Sequence, residues 1–170
     1  MKRLNKLINS PKYNQYLKKN SQSEEDRIFC KHNWEHLINV GRITYVMVLE
    51  RNVGEELFKK LQLEAKVELK EVIYTAAFLH DIGRWKEYKT GEDHAQISAE
   101  LAVDLLERHG FTTLEQKAIL RAIKEHRGEV NSKKSILGRL ICEADNLSRN
   151  CKSCSARQSC KGIKNPKIKY

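Results

Sequence analysis

Six side chains with metal-binding chemistry, His36, His80, Asp81, His94, His126 and Asp145, are scattered along this 170-residue chain. Five of them fall on the apolar side of their own segment. His36 lies one turn before Val40 and two before Ile43, and His80 follows Ile73 and Ala76 by seven and four. His94 precedes Ile97, Ser98, Leu101 and Leu105. His126 follows Ile119, Ala122 and Ile123, and Asp145 follows Ile141 by four. Residues three and four apart share a helix face, so each group points where its helix points its apolar side. One histidine on such a face is ordinarily a core residue bonded to a carbonyl. Several helices doing the same at once bury polar groups that cost a few kcal/mol each when unpaired, about. A divalent metal offsets that cost, because it takes neutral imidazole nitrogen and ionised carboxylate oxygen.

The elements that must position these groups read as helices throughout. Two prolines and eight glycines in the whole chain favour long helices over a meander of strands. A helical start near 3–19 is interrupted at Pro11. Ser23 is expected to cap a helix entered through "SQSEEDR", and a helix is expected from Ile28 to about Arg51, with Phe29, Val40, Ile43 and Met47 at helical spacing. "NVGEELFKKL" and "EAKVELKEVIYTAAFLHD" follow, the second with Leu69, Val72, Ile73 and Ala76 on one side. "IGRWKEYKTGED" reads as a loop. "HAQISAELAVDLLERHG" should stop at Gly110, and Thr113 with Gln116 should form a capping box for the next helix. "SILGRLICEADNLSR" is the last helix. His80 and Asp81 are adjacent and cannot share a face in mid-helix; at a helix end both can reach one ion. Gly83 is expected to let the chain turn away sharply there. Short connections make this an all-α bundle with antiparallel neighbours.

Length and composition suit one compact domain able to bury a core without disulfides. No apolar run approaches the ~20 residues of a membrane span. The basic start "MKRLNKLINSPKYN" has no apolar stretch after it, so no signal peptide is expected, and a cytoplasmic protein is. The net charge is +10, and Arg149 to Tyr170 hold seven Lys or Arg and no acid. That basic tail reads first as a solvated chain end; a nucleic-acid partner is the less favoured reading, since no aromatic residue is interleaved before Tyr170. The expected organisation is an N-terminal helical segment (1–27), a helical domain (28–149) and a basic cysteine-containing tail (150–170).

From Ile28 to Arg149 the sequence resembles the HD superfamily of metal-dependent phosphohydrolases. The resemblance is carried by His36 in "HLINVGRI", His80–Asp81 in "AAFLHDIGR" and Asp145 in "CEADNLSR". His94 and His126 fit the two extra positions of the six-ligand subset of that superfamily. The resemblance implies two metals bridged by Asp81, with His36, His80 and Asp145 on one and His94 and His126 on the other. It implies hydrolysis of a phosphate ester or anhydride, of nucleotide type, by a hydroxide held between the metals. A ligand set of nitrogen and oxygen suits Mn, Fe, Co or Ni. Arg84, Arg127 and Arg149 stand beside the ligands, and one of them is expected to touch phosphate; Arg84 and Arg149 are the candidates for the catalytic set with Asp81. Relatives often carry Lys where Arg84 stands. His32, four before His36, either supports a ligand, meets substrate or is structural. Trp34, Trp85 and Tyr88 read first as packing and second as a platform for a base. The alternative to an enzyme is a non-catalytic HD-like module that binds nucleotide or nucleic acid; an oxygenase is a third, less favoured reading.

A second local anomaly is "CKSCSARQSCKG", where Cys151, Cys154 and Cys160 read C-x2-C-x5-C. Three thiolates are one short of a structural zinc or an iron–sulfur cluster. Cys142 or Cys30 would be the fourth, and a redox pair or inert thiols are the other readings.

Overall fold

The computed structural model describes residues 1–160, so the cationic positions beyond Cys160 lie outside the described residues. Among the described residues there are α-helices, one 3-10 turn and no strand. No helix among them is long and apolar enough to cross a membrane.

The centre of the bundle is α5 (Lys66–Leu79). Its buried residues run all round it rather than along one side: Leu69, Val72, Ile73, Ala76 and Leu79, but also Glu71, Thr75, Ala77 and Phe78. A helix apolar on every face belongs inside. It packs on α1 (Lys2–Ile8), α3 (Trp34–Glu50), α4 (Gly54–Lys60), α7 (His94–Arg108), α8 (Thr113–Glu125) and α9 (Ile136–Leu147). Close approach to α3 depends on Gly41, where a Cβ would meet the Tyr74 ring at 2.9 Å. Each large apolar side chain buried here contributes roughly 1.5–3 kcal/mol. α5 therefore carries His80 and Asp81, just past its end, into the middle of the molecule.

Five local expectations are corrected. The segment read as a loop after Asp81 contains α6 (Arg84–Thr90), a helix with no buried residue, stopped by Gly91 in the left-handed region at φ 76°. Its polar sequence offers no apolar period, so only the flanking glycines hinted at it. Gly83 is at φ −95°, which any residue adopts. Its need is space: a Cβ would come within 2.6 Å of Ile97 Cγ2 and 2.8 Å of the Ser98 backbone nitrogen. Ser23 does not open a helix but ends α2 (Pro11–Ser23), which starts at the same proline expected to interrupt a helix. α3 begins only at Trp34, with Asn33 Oδ1 accepting from the His36 backbone nitrogen, so Phe29 lies before the helix and Ile28 is exposed. The capping box of α8 is Thr112 with Glu115, one residue earlier than Thr113 with Gln116.

The N-terminal helices are part of the bundle. Glu71 of α5 accepts from the backbone nitrogens of Arg3 and Leu4, at the open end of α1. The side chain of Arg3 bonds Glu71 and forks onto Glu115 at 2.7 and 2.8 Å. α2 reaches across to α6, where Asn20 binds the Asp81 carbonyl and the Trp85 backbone nitrogen, each at 2.8 Å.

Candidate metal centre

The six predicted residues meet. Asp81, 3% exposed, stands at the middle with one carboxylate oxygen facing each way. Its Oδ2 lies 3.1 Å from His80 Nε2 and 3.6 Å from His36 Nε2. Its Oδ1 lies 3.1 Å from His94 Nε2 and 3.6 Å from His126 Nε2. Asp145 joins the first side, with Oδ1 3.4 Å from His36 Nε2. The ligand atoms thus form two groups that share Asp81: His36, His80, Asp81 and Asp145 in one, Asp81, His94 and His126 in the other. Periodicity gave the inward faces; only the crossing of α3, α5, α7, α8 and α9 brings the five helices' groups to one point.

The protons show what such a group of atoms needs. His80 Nδ1 donates to the Ala77 carbonyl and His126 Nδ1 to the Ile123 carbonyl, both at 2.6 Å. His94 Nδ1 donates to Glu87 Oε2 at 2.7 Å. Ser148 gives its own proton to the Asp145 carbonyl, so His36 Nδ1 donates to Ser148 Oγ at 3.1 Å. With every Nδ1 tied to oxygen, Nε2 is the nitrogen that each ring turns inward, and it presents a lone pair wherever the ring is neutral. These inward nitrogens face one another, His36 to His80 at 3.3 Å and His94 to His126 at 3.0 Å. Asp81 Oδ1 and Asp145 Oδ1 are buried without any hydrogen-bond donor, although ring nitrogens stand within ion-pair distance. Buried acceptors facing acceptors are costly unless a cation sits among them. The donor set of imidazole nitrogen and carboxylate oxygen fits a divalent transition metal.

Electrostatics points the same way. Burial lowers the imidazoles of His36 and His126 below their ordinary value, which keeps them neutral. Burial alone would raise the Asp81 carboxyl; the adjoining His80 and the other imidazoles outweigh it and hold Asp81 well below the carboxylate range. Burial would also lower His80, but the Asp81 carboxylate overrides it and raises His80 to about 9. His80 therefore keeps a proton on the Asp81 side that an incoming cation must displace, so metal uptake releases a proton and weakens as pH falls.

The surroundings sort the remaining candidates. Arg84 lies over His94, its Nη1 2.8 and 3.0 Å from the two ring nitrogens, and also binds Glu87. Arg127 bridges Glu87 and Asp93. Arg149 pairs with Asp145 one turn away at 3.1 Å. Trp34 packs edge-on against Phe78, Trp85 lies under Lys19, and Tyr88 donates to Glu24. His109 is held by the Leu105 carbonyl, away from the centre. Cys142 is buried and donates to the Gly128 carbonyl, whereas Cys30, Cys151 and Cys154 line one pocket together with His36 and Arg149.

Glu24 was missed. It is 2% exposed and accepts at 2.5 Å from His32 Nδ1, leaving His32 Nε2 3.7 Å from Asp81 Oδ2. His32 repeats the pattern of the other four histidines, with Nδ1 tied to oxygen and Nε2 inward. The hydrophilic stretch "SQSEEDR" looked like a solvated helix start, and nothing in it marked one carboxylate as buried. Burial would raise the Glu24 carboxyl, but its bonds to His32 and Tyr88 leave it below its ordinary value.

A bundle of helices that converges a His–Asp pair with further histidines and a distal Asp defines an all-α domain with residues able to hold divalent metal. The chain belongs to the HD domain family: the model of that family matches residues 33–150. HD domains form a superfamily of metal-dependent phosphohydrolases. Across 160 residues the chain is 36% identical to an uncharacterized protein of Clostridium beijerinckii, covering 94% of this chain and 92% of that one. A 74-residue stretch is 38% identical to a bifunctional uridylyltransferase/uridylyl-removing enzyme of Zymomonas mobilis, and a 65-residue stretch is 34% identical to the enzyme of that name in Vibrio cholerae. Those stretches cover 44% and 38% of this chain but only 7% of either enzyme. No solved structure matches the chain.

Proposed function

We propose that the protein hydrolyses a phosphate ester or anhydride in a small nucleotide-type substrate, using two divalent ions held across Asp81. One observation carries this reading: each oxygen of a single buried carboxylate faces its own set of histidine nitrogens. His36, His80 and Asp145 would hold one ion, His94 and His126 the other, and Asp81 both. When bound, Mn, Fe, Co or Ni ions supply Lewis acidity, which lowers the pKa of a water and neutralises phosphoryl charge. The chain does the rest. Ala77, Ile123, Glu87 and Ser148 orient the rings, and Arg84, beside His94, and Arg149, beside Asp145, would meet phosphoryl oxygens. The nucleotide class draws on the uridylyl-removing enzymes, whose name describes removal of a nucleotidyl group.

The test is release of inorganic phosphate or nucleoside monophosphate from a nucleotide set by metal-reconstituted protein. Turnover of none, with tight nucleotide binding, would hand the site to the non-catalytic alternative. Within the dinuclear reading, His94→Ala should lower the metal content from about two ions per chain to about one; loss of both ions, measured by elemental analysis, would overturn the two-site arrangement.

His32 is proposed as a positioning residue, fixed by Glu24 and aimed at the Asp81 side of the first ion. His32→Ala should weaken metal affinity or turnover about 10–100-fold, with Glu24→Gln shifted the same way. Wild-type values in competition titrations and rate assays would make the pair purely structural.

A further inference from the structure

Cys30 stands in the segment before α3, and Cys151 and Cys154 stand after α9, yet all three line one pocket of about 310 Å³. Spacing alone could not choose between Cys30 and Cys142 as a partner for the tail. The fold favours Cys30, which shares that pocket, whereas Cys142 is buried and donates to the Gly128 carbonyl.

Burial pushes the Cys30 thiol up, and the neighbouring Cys151 and Cys154 push it further, against the pull of Arg149. Cys151 opens a 3-10 turn (Cys151–Ser153) that leads straight to Cys154. Successive turns then link Cys154 to Cys160: the backbone nitrogen of Arg157 donates to the Cys154 carbonyl, that of Ser159 to Ala156 and that of Cys160 to Arg157. This compact stretch has almost no core of its own. Of the described side chains from 150 to 160, only Ala156 is buried. Ordering such a segment costs conformational entropy that apolar burial does not offset here. In small cysteine-bearing segments a structural ion does offset it.

We propose that Cys30, Cys151, Cys154 and Cys160 form a tetrahedral zinc site that fastens the C-terminal segment beside His36 and Arg149. Four soft thiolates suit zinc, whereas the His–Asp centre offers imidazole nitrogen and carboxylate oxygen, so the two sites differ in donor type. Among the described residues the sulfurs do not meet at ligand spacing as the His–Asp groups do. Zinc would draw the 151–154 turn onto Cys30. Because the pocket also contains His36 and Arg149, the zinc-held turn would form one wall of the approach to the proposed catalytic ions.

The experiment is zinc counting on the full-length protein, purified without chelator, beside Cys30→Ser, Cys154→Ser and Cys142→Ser. The expected result is one zinc per chain in the wild type and in Cys142→Ser, with loss of most of it in Cys30→Ser and Cys154→Ser. His94→Ala should leave the zinc in place, which separates this site from the proposed hydrolase centre. Cobalt added to zinc-depleted wild-type protein should give thiolate-to-metal charge-transfer absorption with tetrahedral intensity, a readout that needs no variant to fold. Zinc unchanged in Cys30→Ser, absence of the cobalt band, an iron–sulfur chromophore, or a disulfide between two of the four would each overturn the proposal.

Discussion

Replacing Asp81 with Ala should remove both proposed metals and reduce the proposed phosphohydrolase activity by at least about a thousandfold, with the helical content unchanged. The expected size follows from position. Removing a single polar group that stabilises a transition state already costs roughly 10²–10³ in rate, and Asp81 faces both sets of histidines with a different oxygen. Without it His36, His80 and Asp145 are separated from His94 and His126 by the space the carboxylate filled. The fold should survive, because the contact that Asp81 makes with α2 is through its carbonyl, which accepts from Asn20 whatever the side chain is. Asp81→Asn sharpens the test: it keeps the volume and removes the charge. Elemental analysis and phosphate release on both variants, with circular dichroism as the folding check, decide it. Turnover near wild type in either, with metal retained, would remove Asp81 from its bridging role.

The second large effect is expected far from the centre. Arg3→Ala should destabilise the protein by about 3–5 kcal/mol, since breaking a buried ion pair from one side strands the other charge. Here two carboxylates are stranded, with side-chain exposures of 7% for Glu71 and 1% for Glu115. Glu71 keeps its bonds from the backbone nitrogens at positions 3 and 4 of α1, so the loss falls on the guanidinium link that joins Glu71 to Glu115. For a chain this long the loss should appear as a fall in Tm on the order of 10 °C. Arg3→Lys should recover only part, because an ammonium cannot fork onto Glu115 as the guanidinium does. The pH dependence has a definite sign. Burial alone would raise the Glu71 carboxyl, but Arg3 outweighs it and leaves it below its ordinary value of 4.5. The Glu71 contribution is therefore present above that value and is lost as pH falls through the lowered folded pKa. Thermal melts of wild type and Arg3→Ala should accordingly converge in acid. A Tm change of a degree or two at neutral pH would show that Arg3 is a surface residue in energetic terms.

The sequence by itself determined the fold class and most of the centre. A 3.6-residue period is local, so the inward faces of His36, His80, His94, His126 and Asp145 could be read one helix at a time. The metal chemistry followed from residue type, because imidazole and carboxylate on apolar faces need a common partner. Short polar elements were not legible. α6 buries nothing, so it has no period to read, and the capping box of α8 was displaced by one residue because Thr112 and Thr113 are equivalent on paper. Tertiary structure alone decided which residues meet across long separations. It turned Glu24 from a helix-start acid into the buried partner of His32, and Arg3 from a basic N-terminal residue into a link between α5 and α8. It also brought Cys30 into one pocket with Cys151 and Cys154 and set the buried Cys142 against the Gly128 carbonyl. The physical reason is the same in each case. Burial of a polar group is a property of the assembled core, and no single segment of sequence carries it.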